Sequence, residues 1–130
     1  RVQRQSENAM AMCEFLHAHP KIKKVYYPGL AEHPQHARAG ELFRAFGGLF
    51  SFELQSDVDL WEFLNRLQVI VKSSNLGDNR TLAIPVAHTI YFEMGPERRA
   101  SMGIDESLIR ISSGIEDSED LLADLSAALN

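Results

Sequence analysis

The chain has 130 residues, 45% of them hydrophobic and 24% charged, with a net charge of −5. This composition is globular rather than disordered, and no apolar run approaches the ~20 residues that a membrane-spanning helix needs. The acidic balance, without a local basic cluster, argues against nucleic acid as a partner, and a single cysteine, Cys13, excludes an internal disulfide and suits a reducing cytoplasm.

The polar opening RVQRQSENAM carries no signal-peptide pattern. Ala9, Met12, Cys13 and Leu16 then recur at helical spacing, which predicts an amphipathic helix over residues 6–17. No cap precedes Arg1, so this helix begins mid-pattern, and the chain reads as a piece of a longer protein. Pro20 ends the helix by disfavouring helical geometry in the residue before it. KIKKVYY is a short strand closed by the turn Pro28-Gly29, and HPQHARAGELFRAF is a second helix stopped by Gly47-Gly48. In GLFSFEL, Phe50, Phe52 and Leu54 share one face while Ser51 and Glu53 share the other, as in a half-buried strand.

DVDLWEFLNRL places Leu60, Phe63, Leu64 and Leu67 on one helical stripe behind an Asp cap. VIVKSS is a strand by composition and GDNR a turn, with Asp78 as a turn residue. TLAIPV predicts a short edge strand, because Pro85 cannot donate to a ladder. GPERRASMG is a short helix with proline in its first turn, and SLIRISSGI is a strand. DSEDLLADLSAAL is a last helix, capped by Asp117 or Ser118, with Leu121, Leu122, Leu125 and Leu129 inward. No glycine-rich phosphate loop appears among these elements. The expected fold is α+β: a small, largely antiparallel sheet with helices on one face and a partner domain or subunit over the other.

Most polar clusters have a structural reading. His33 and His36 lack further ligands at metal-site spacing and read as surface residues at a helix start, and His17 and His19 flank a helix end. Cys13 lies on an apolar stripe and reads as a buried thiol, while Asp117, Glu119 and Asp120 suit a helix N-terminus. No metal site is expected. Arg110 leaves two readings open. Strand period puts it with Ser112, opposite Ile109 and Ile111. There it is either a solvated strand arginine or a two-pronged carboxylate binder, with polar groups of the SSNLG turn close by if the two strands are neighbours.

VYYPGLAEHPQHARA, FGGLFSFEL, SNLGDNRTL and GIDESLIRISSGIEDSEDLLADLSAAL, in that order, resemble the C-terminal domain of the Cys/Met-metabolism family of pyridoxal-phosphate (PLP) enzymes. That family includes cystathionine γ-synthase, cystathionine β- and γ-lyases, methionine γ-lyase and the O-acetyl- and O-succinylhomoserine sulfhydrylases. The resemblance implies that residues 1–130 form the single small C-terminal domain of a fold-type I PLP enzyme, with the large PLP-binding domain absent from this chain. It implies that Arg110 binds the substrate α-carboxylate and that Asn75, just before L-G-D, lines the same pocket in the manner of the sulfhydrylase branch.

The family's Schiff-base lysine, phosphate loop and ring-stacking aromatic belong to the absent domain, and Lys21, Lys23, Lys24 and Lys72 are not in the expected setting. The chain is therefore expected to hold no catalytic and no cofactor-binding residue and to bind no PLP alone, the cofactor residing in the full-length parent. The implied reaction is γ-replacement or elimination on a homoserine ester or cystathionine. The implied partners are a small amino-acid substrate, the chain's own N-terminal domain, and further copies in a homo-oligomeric parent. In place of the usual V-I-H-P-A-S-T-T-H, this chain has AIPVAHTIY, so Pro85 and Tyr91 stand at histidine positions and His88 at the serine position. The rival expectation from another class is a non-catalytic α+β ligand-binding or oligomerisation module.

Overall fold

The structure is a computed structural model that describes residues 2–29, 47–73, 79–89, 92–102 and 104–130. Helix α1 (Val2–His17) starts earlier than its apolar spacing suggested, and Ala9, Met12, Cys13 and Leu16 on its inner stripe are all fully buried. Strand β1 (Ile22–Tyr26) follows Pro20, and β2 (Leu49–Leu54) follows Gly48. The predicted helix at 33–46 lies outside the described residues. Helix α2 (Leu60–Arg66) is capped by Asp59, whose carboxylate accepts the Glu62 N–H at 2.9 Å.

VIVKSS yields only a two-residue strand, β3 (Val71–Lys72), before β4 (Leu82–Pro85). A single 3-10 turn at Phe92–Met94 leads into α3 (Pro96–Ser101), entered through Gly95 at φ 85°, a left-handed conformation that favours glycine. Strand β5 (Leu108–Ser112) and helix α4 (Ser118–Leu129) complete the chain, and Asp117 caps α4 by accepting from the Glu119 N–H.

The five described strands lie in the order β1-β2-β5-β4-β3. β1 with β2, β2 with β5, and β5 with β4 are antiparallel, but β3 with β4 is parallel. The sheet is therefore mixed, which corrects the expectation of a largely antiparallel one. Side-chain alternation encodes which face a residue occupies; it does not encode which edge the chain returns to or in which direction. β4 is also an interior strand, not an edge. Thr81 and Ala83 turn their carbonyls to β3, accepting from Val71 N and Ser73 N at 3.0 Å, whereas Val86 N donates to Leu108 O of β5. Pro85 is in phase with Thr81 and Ala83, so its missing donor faces the β3 side, past the last β3 residue that pairs with β4. A proline is tolerated inside the sheet because its missing donor lies beyond that neighbour, while its carbonyl accepts the Thr89 hydroxyl at 2.6 Å.

One sheet face forms the core. Phe50, Phe52, Ile109, Ile111 and Ala83 pack there with Met12 and Leu16 of α1, Phe63 and Leu64 of α2, and Leu121, Leu125 and Leu129 of α4. Each such large side chain contributes about 1.5–3 kcal/mol by burial. The expectation of helices on one face holds for these three. The short helix α3 instead lies beside Glu53, lining a cavity of about 410 Å³ with it.

Candidate functional site

Arg110 sits in the central strand, on the face turned away from the core. Its row across the sheet is Ser51–Arg110–Ile84, and the next row is Leu49–Ser112–Leu82. Arg110 is half-buried, between Ile109 and Ile111, which are fully buried on the opposite face. A central strand paired on both sides is among the stiffest supports a fold offers, so the guanidinium projects from a fixed base. Asn75 lies outside the described residues, as do Tyr91, His33, His36 and Asp78.

The neighbourhood expected from SSNLG is only partly direct, because β4 stands between β3 and β5. The return of that segment, however, abuts the end of the Arg110 strand: Ile115 N donates to Asn79 O at 2.8 Å, and Gly114 N donates to Thr81 Oγ1 at 2.9 Å. Pro85 pairs with Ile109 in the ladder. His88 lies in the turn after β4, with Nε2 3.2 Å from Glu106 O and 3.5 Å from Glu106 Oε2, and its ring centroid 5.2 Å from that of Trp61.

Glu53, Arg99 and Glu116 are among the polar groups that escaped the sequence reading. Glu53, placed by alternation on the polar face, is buried there, accepts the Tyr26 hydroxyl and lies 4.0 Å from Lys23 Nζ. Burial first, and the Glu53 contact second, push the Tyr26 phenol up to about 12. Arg99 is buried, gives Nη2 and Nε to Glu106 Oε1 at 2.9 and 3.3 Å, and gives Nη1 to Phe92 O. Glu116 binds Thr81 twice, through the backbone N–H and the hydroxyl. A glutamate following a strand carries no sequence mark of such a role, because its partner lies 35 residues away. Elsewhere, the Ser107 backbone N–H holds the Asp105 carboxyl below its ordinary value, and burial pushes the Cys13 thiol up.

The lysines do not fit a carbonyl-condensing role. Lys23 lies 3.7 Å from Asp105, Lys24 rests over the Tyr26 ring, Lys72 donates to Asn65 Oδ1, and Lys21 donates to the Leu129 carbonyl. Amines that condense with carbonyls are desolvated or set beside other cations, whereas three of these are exposed and the fourth is only half-buried. Among the described residues, no group of three or more His, Cys, Asp or Glu could hold a metal ion. No described helix is long and apolar enough to cross a membrane.

A family model described as "Cys/Met metabolism PLP-dependent enzyme" matches residues 1–130. The chain belongs to that family. It is 39% identical over 130 residues to an O-succinylhomoserine sulfhydrylase of Pseudomonas aeruginosa, covering 99% of this chain and 32% of that protein. It is 41% identical over 130 residues to a cystathionine beta-lyase of Coxiella burnetii, covering 99% of this chain and 34% of that protein. The crystal structure of a cystathionine gamma-lyase from Micromonospora echinospora superposes with a TM-score of 0.93 at 40% identity, over 99% of this chain and 34% of that one. The chain thus spans about a third of the length of these members of the Cys/Met metabolism family, which carry different names at similar identity.

Proposed function

We propose that residues 1–130 are the C-terminal, substrate-orienting domain of a PLP-dependent enzyme of sulfur amino-acid metabolism. The reaction is γ-replacement or elimination on a homoserine ester or cystathionine. An O-acyl-homoserine sulfhydrylase is the favoured member, on the asparagine at position 75. A cystathionine γ-synthase or γ-lyase is the second reading, supported by relatives of those names at 38% and 37% identity. The parent binds a small amino acid, is cytoplasmic, and assembles as a homo-oligomer around its own N-terminal domain. PLP would supply its carbanion-stabilising chemistry from that other domain. The residues here do not hold the cofactor, and their task is to bind and orient.

The observation that supports this reading best is the place of Arg110, half-buried in the central strand on the face away from the core. A planar, permanently charged fork on a rigid strand suits a carboxylate held by two parallel hydrogen bonds. Fixing that carboxylate fixes which substrate bond faces the reacting group. In the full-length parent, Arg110→Ala removes one member of a partly desolvated charged pair, a loss of ~2–5 kcal/mol. At about 1.4 kcal/mol per tenfold, kcat/KM should fall roughly 30- to several-thousand-fold. Cofactor content should stay normal, and Arg110→Lys should restore little, since an ammonium lacks the fork. A folded Arg110→Ala enzyme with parental kcat/KM would return Arg110 to the solvated-strand reading.

A further inference from the structure

His88, at the position where a serine is usual, belongs to a chain of contacts that joins α2 to α3. Its Nε2 lies 3.2 Å from the Glu106 backbone carbonyl and 3.5 Å from Glu106 Oε2. With two acceptors before it, Nε2 carries the proton of the neutral ring, and a second proton enters at Nδ1 without breaking that contact. The other carboxylate oxygen of Glu106, Oε1, accepts Nη2 and Nε of Arg99 at 2.9 and 3.3 Å. Arg99 is a buried residue of α3 and gives Nη1 to Phe92 O at 2.9 Å. From α2, the Trp61 ring packs on the His88 ring, with centroids 5.2 Å apart and planes at 58°.

Imidazole changes charge between about pH 5 and 8, where a serine hydroxyl does not. A proton on His88 turns a neutral hydrogen bond toward Glu106 into a charge-assisted one. It also sets a cation within reach of the Trp61 ring, a favourable contact of the same sign. Arg99, the other cation on Glu106, opposes this charge, but it engages Oε1 and leaves Oε2 to His88. The neighbouring acid, Asp105, is held by the Ser107 N–H at 2.8 Å and by Lys23 at 3.7 Å. The His88 side chain is 28% exposed and that of Glu106 52%, so protons reach both from solvent. Glu106 also lines the cavity of about 410 Å³ that Pro96 and Ala100 of α3 form with buried Glu53. We propose that His88 is a proton-sensitive clasp. Charged, it draws Glu106 tight between the turn after β4 and Arg99, and α3 stays in place as a wall of that cavity. Neutral, it lets α3 open more often.

Amide hydrogen exchange, read by peptide mass on the full-length parent, measures how often residues 92–102 open. It is run at about pH 5.5 and about pH 8.5, either side of the imidazole range. Comparing parent with variant at one pH cancels the intrinsic dependence of exchange on pH. His88→Gln keeps a donor for Glu106 but takes up no charge. At the lower pH the parent should exchange this segment roughly five-fold more slowly than His88→Gln, the difference between a charged and a neutral hydrogen bond. At the higher pH the two should agree within about two-fold, and peptides of α4 should agree at both. Glu106→Gln should exchange residues 92–102 faster at either pH, because Arg99 loses its charged partner. Adding His88→Gln to it should then change the lower-pH rate by less than about two-fold. The proposal is overturned by a parent-to-His88→Gln ratio that is the same at both pH values, by an equal change in α4, or by a larger His88→Gln effect that survives in Glu106→Gln. Should Glu106→Gln fail to fold, the comparison of parent with His88→Gln at the two pH values decides alone.

Discussion

Tyr26 reaches diagonally across the β1–β2 pair to Glu53, and its hydroxyl donates to a carboxylate that is 6% exposed. Its phenol is pushed up to about 12 by burial and then by Glu53, from an ordinary value of about 10. The sign follows from proton linkage. The unfolded chain gives up this proton first as pH rises, so the interaction contributes in full below about pH 10 and is lost as pH rises toward 12. Denaturant unfolding measured across that window should show a steep alkaline fall in stability that Tyr26→Phe makes shallower. Phenolate absorbance should show one late-titrating tyrosine missing from the variant. Burial pushes the Tyr27 phenol up as well, so a late component should remain but shrink; if Tyr26→Phe left its amplitude unchanged, the assignment to Tyr26 would be wrong. Period-two alternation put Glu53 on the polar face, but its burial depends on a tyrosine from a neighbouring strand and was not legible locally.

Helix α4 shows the same limit at the scale of an element. Its leucine spacing and its acidic cap were readable, and Leu121, Leu125 and Leu129 are buried as expected, with Asp117 as the cap. Asp124 on the same inner side was not readable. It is 7% exposed and accepts the backbone N–H groups of Gln68, Val69 and Ile70 at 2.8, 3.0 and 2.8 Å. Three orphan donors between α2 and β3 are thereby satisfied by a helix distant in sequence, which fixes where β3 begins. Asp124→Ala leaves those donors unpaired and should cost about 3 kcal/mol in urea unfolding, with Asp124→Asn intermediate because one acceptor oxygen remains. A loss under about 0.5 kcal/mol, the usual range for surface substitutions, would show that water replaces the carboxylate there.

For the whole molecule, the proposed division of labour makes a direct prediction. Mixed with PLP and reduced with borohydride, the 130-residue chain should yield only slow, scattered labelling of Lys21, Lys23, Lys24 and Lys72. The motivation is their setting, on or near the surface, with Lys23 beside Asp105 and Glu53 rather than beside cations. Stoichiometric modification of one lysine, read by peptide mass, would show a carbonyl-reactive site in this chain and contradict the assignment of cofactor chemistry to the rest of the parent.

The sequence alone determined the composition class, nearly every described helix and strand, the two faces of β2 and β5, and the position of Arg110 opposite the apolar face. These are properties of spacing along the chain, and spacing is what periodicity measures. Tertiary structure alone decided the parallel β3–β4 pair, the interior place of β4 with Pro85 past the reach of β3, and the roles of Glu53, Asp124 and Glu116. The three carboxylates reach hydrogen-bond partners dozens of residues away, so no local pattern can carry their roles, and only the closed fold brings the donor to its acceptor. The β3–β4 pair joins nearby segments, but side-chain alternation does not encode strand direction or sheet order.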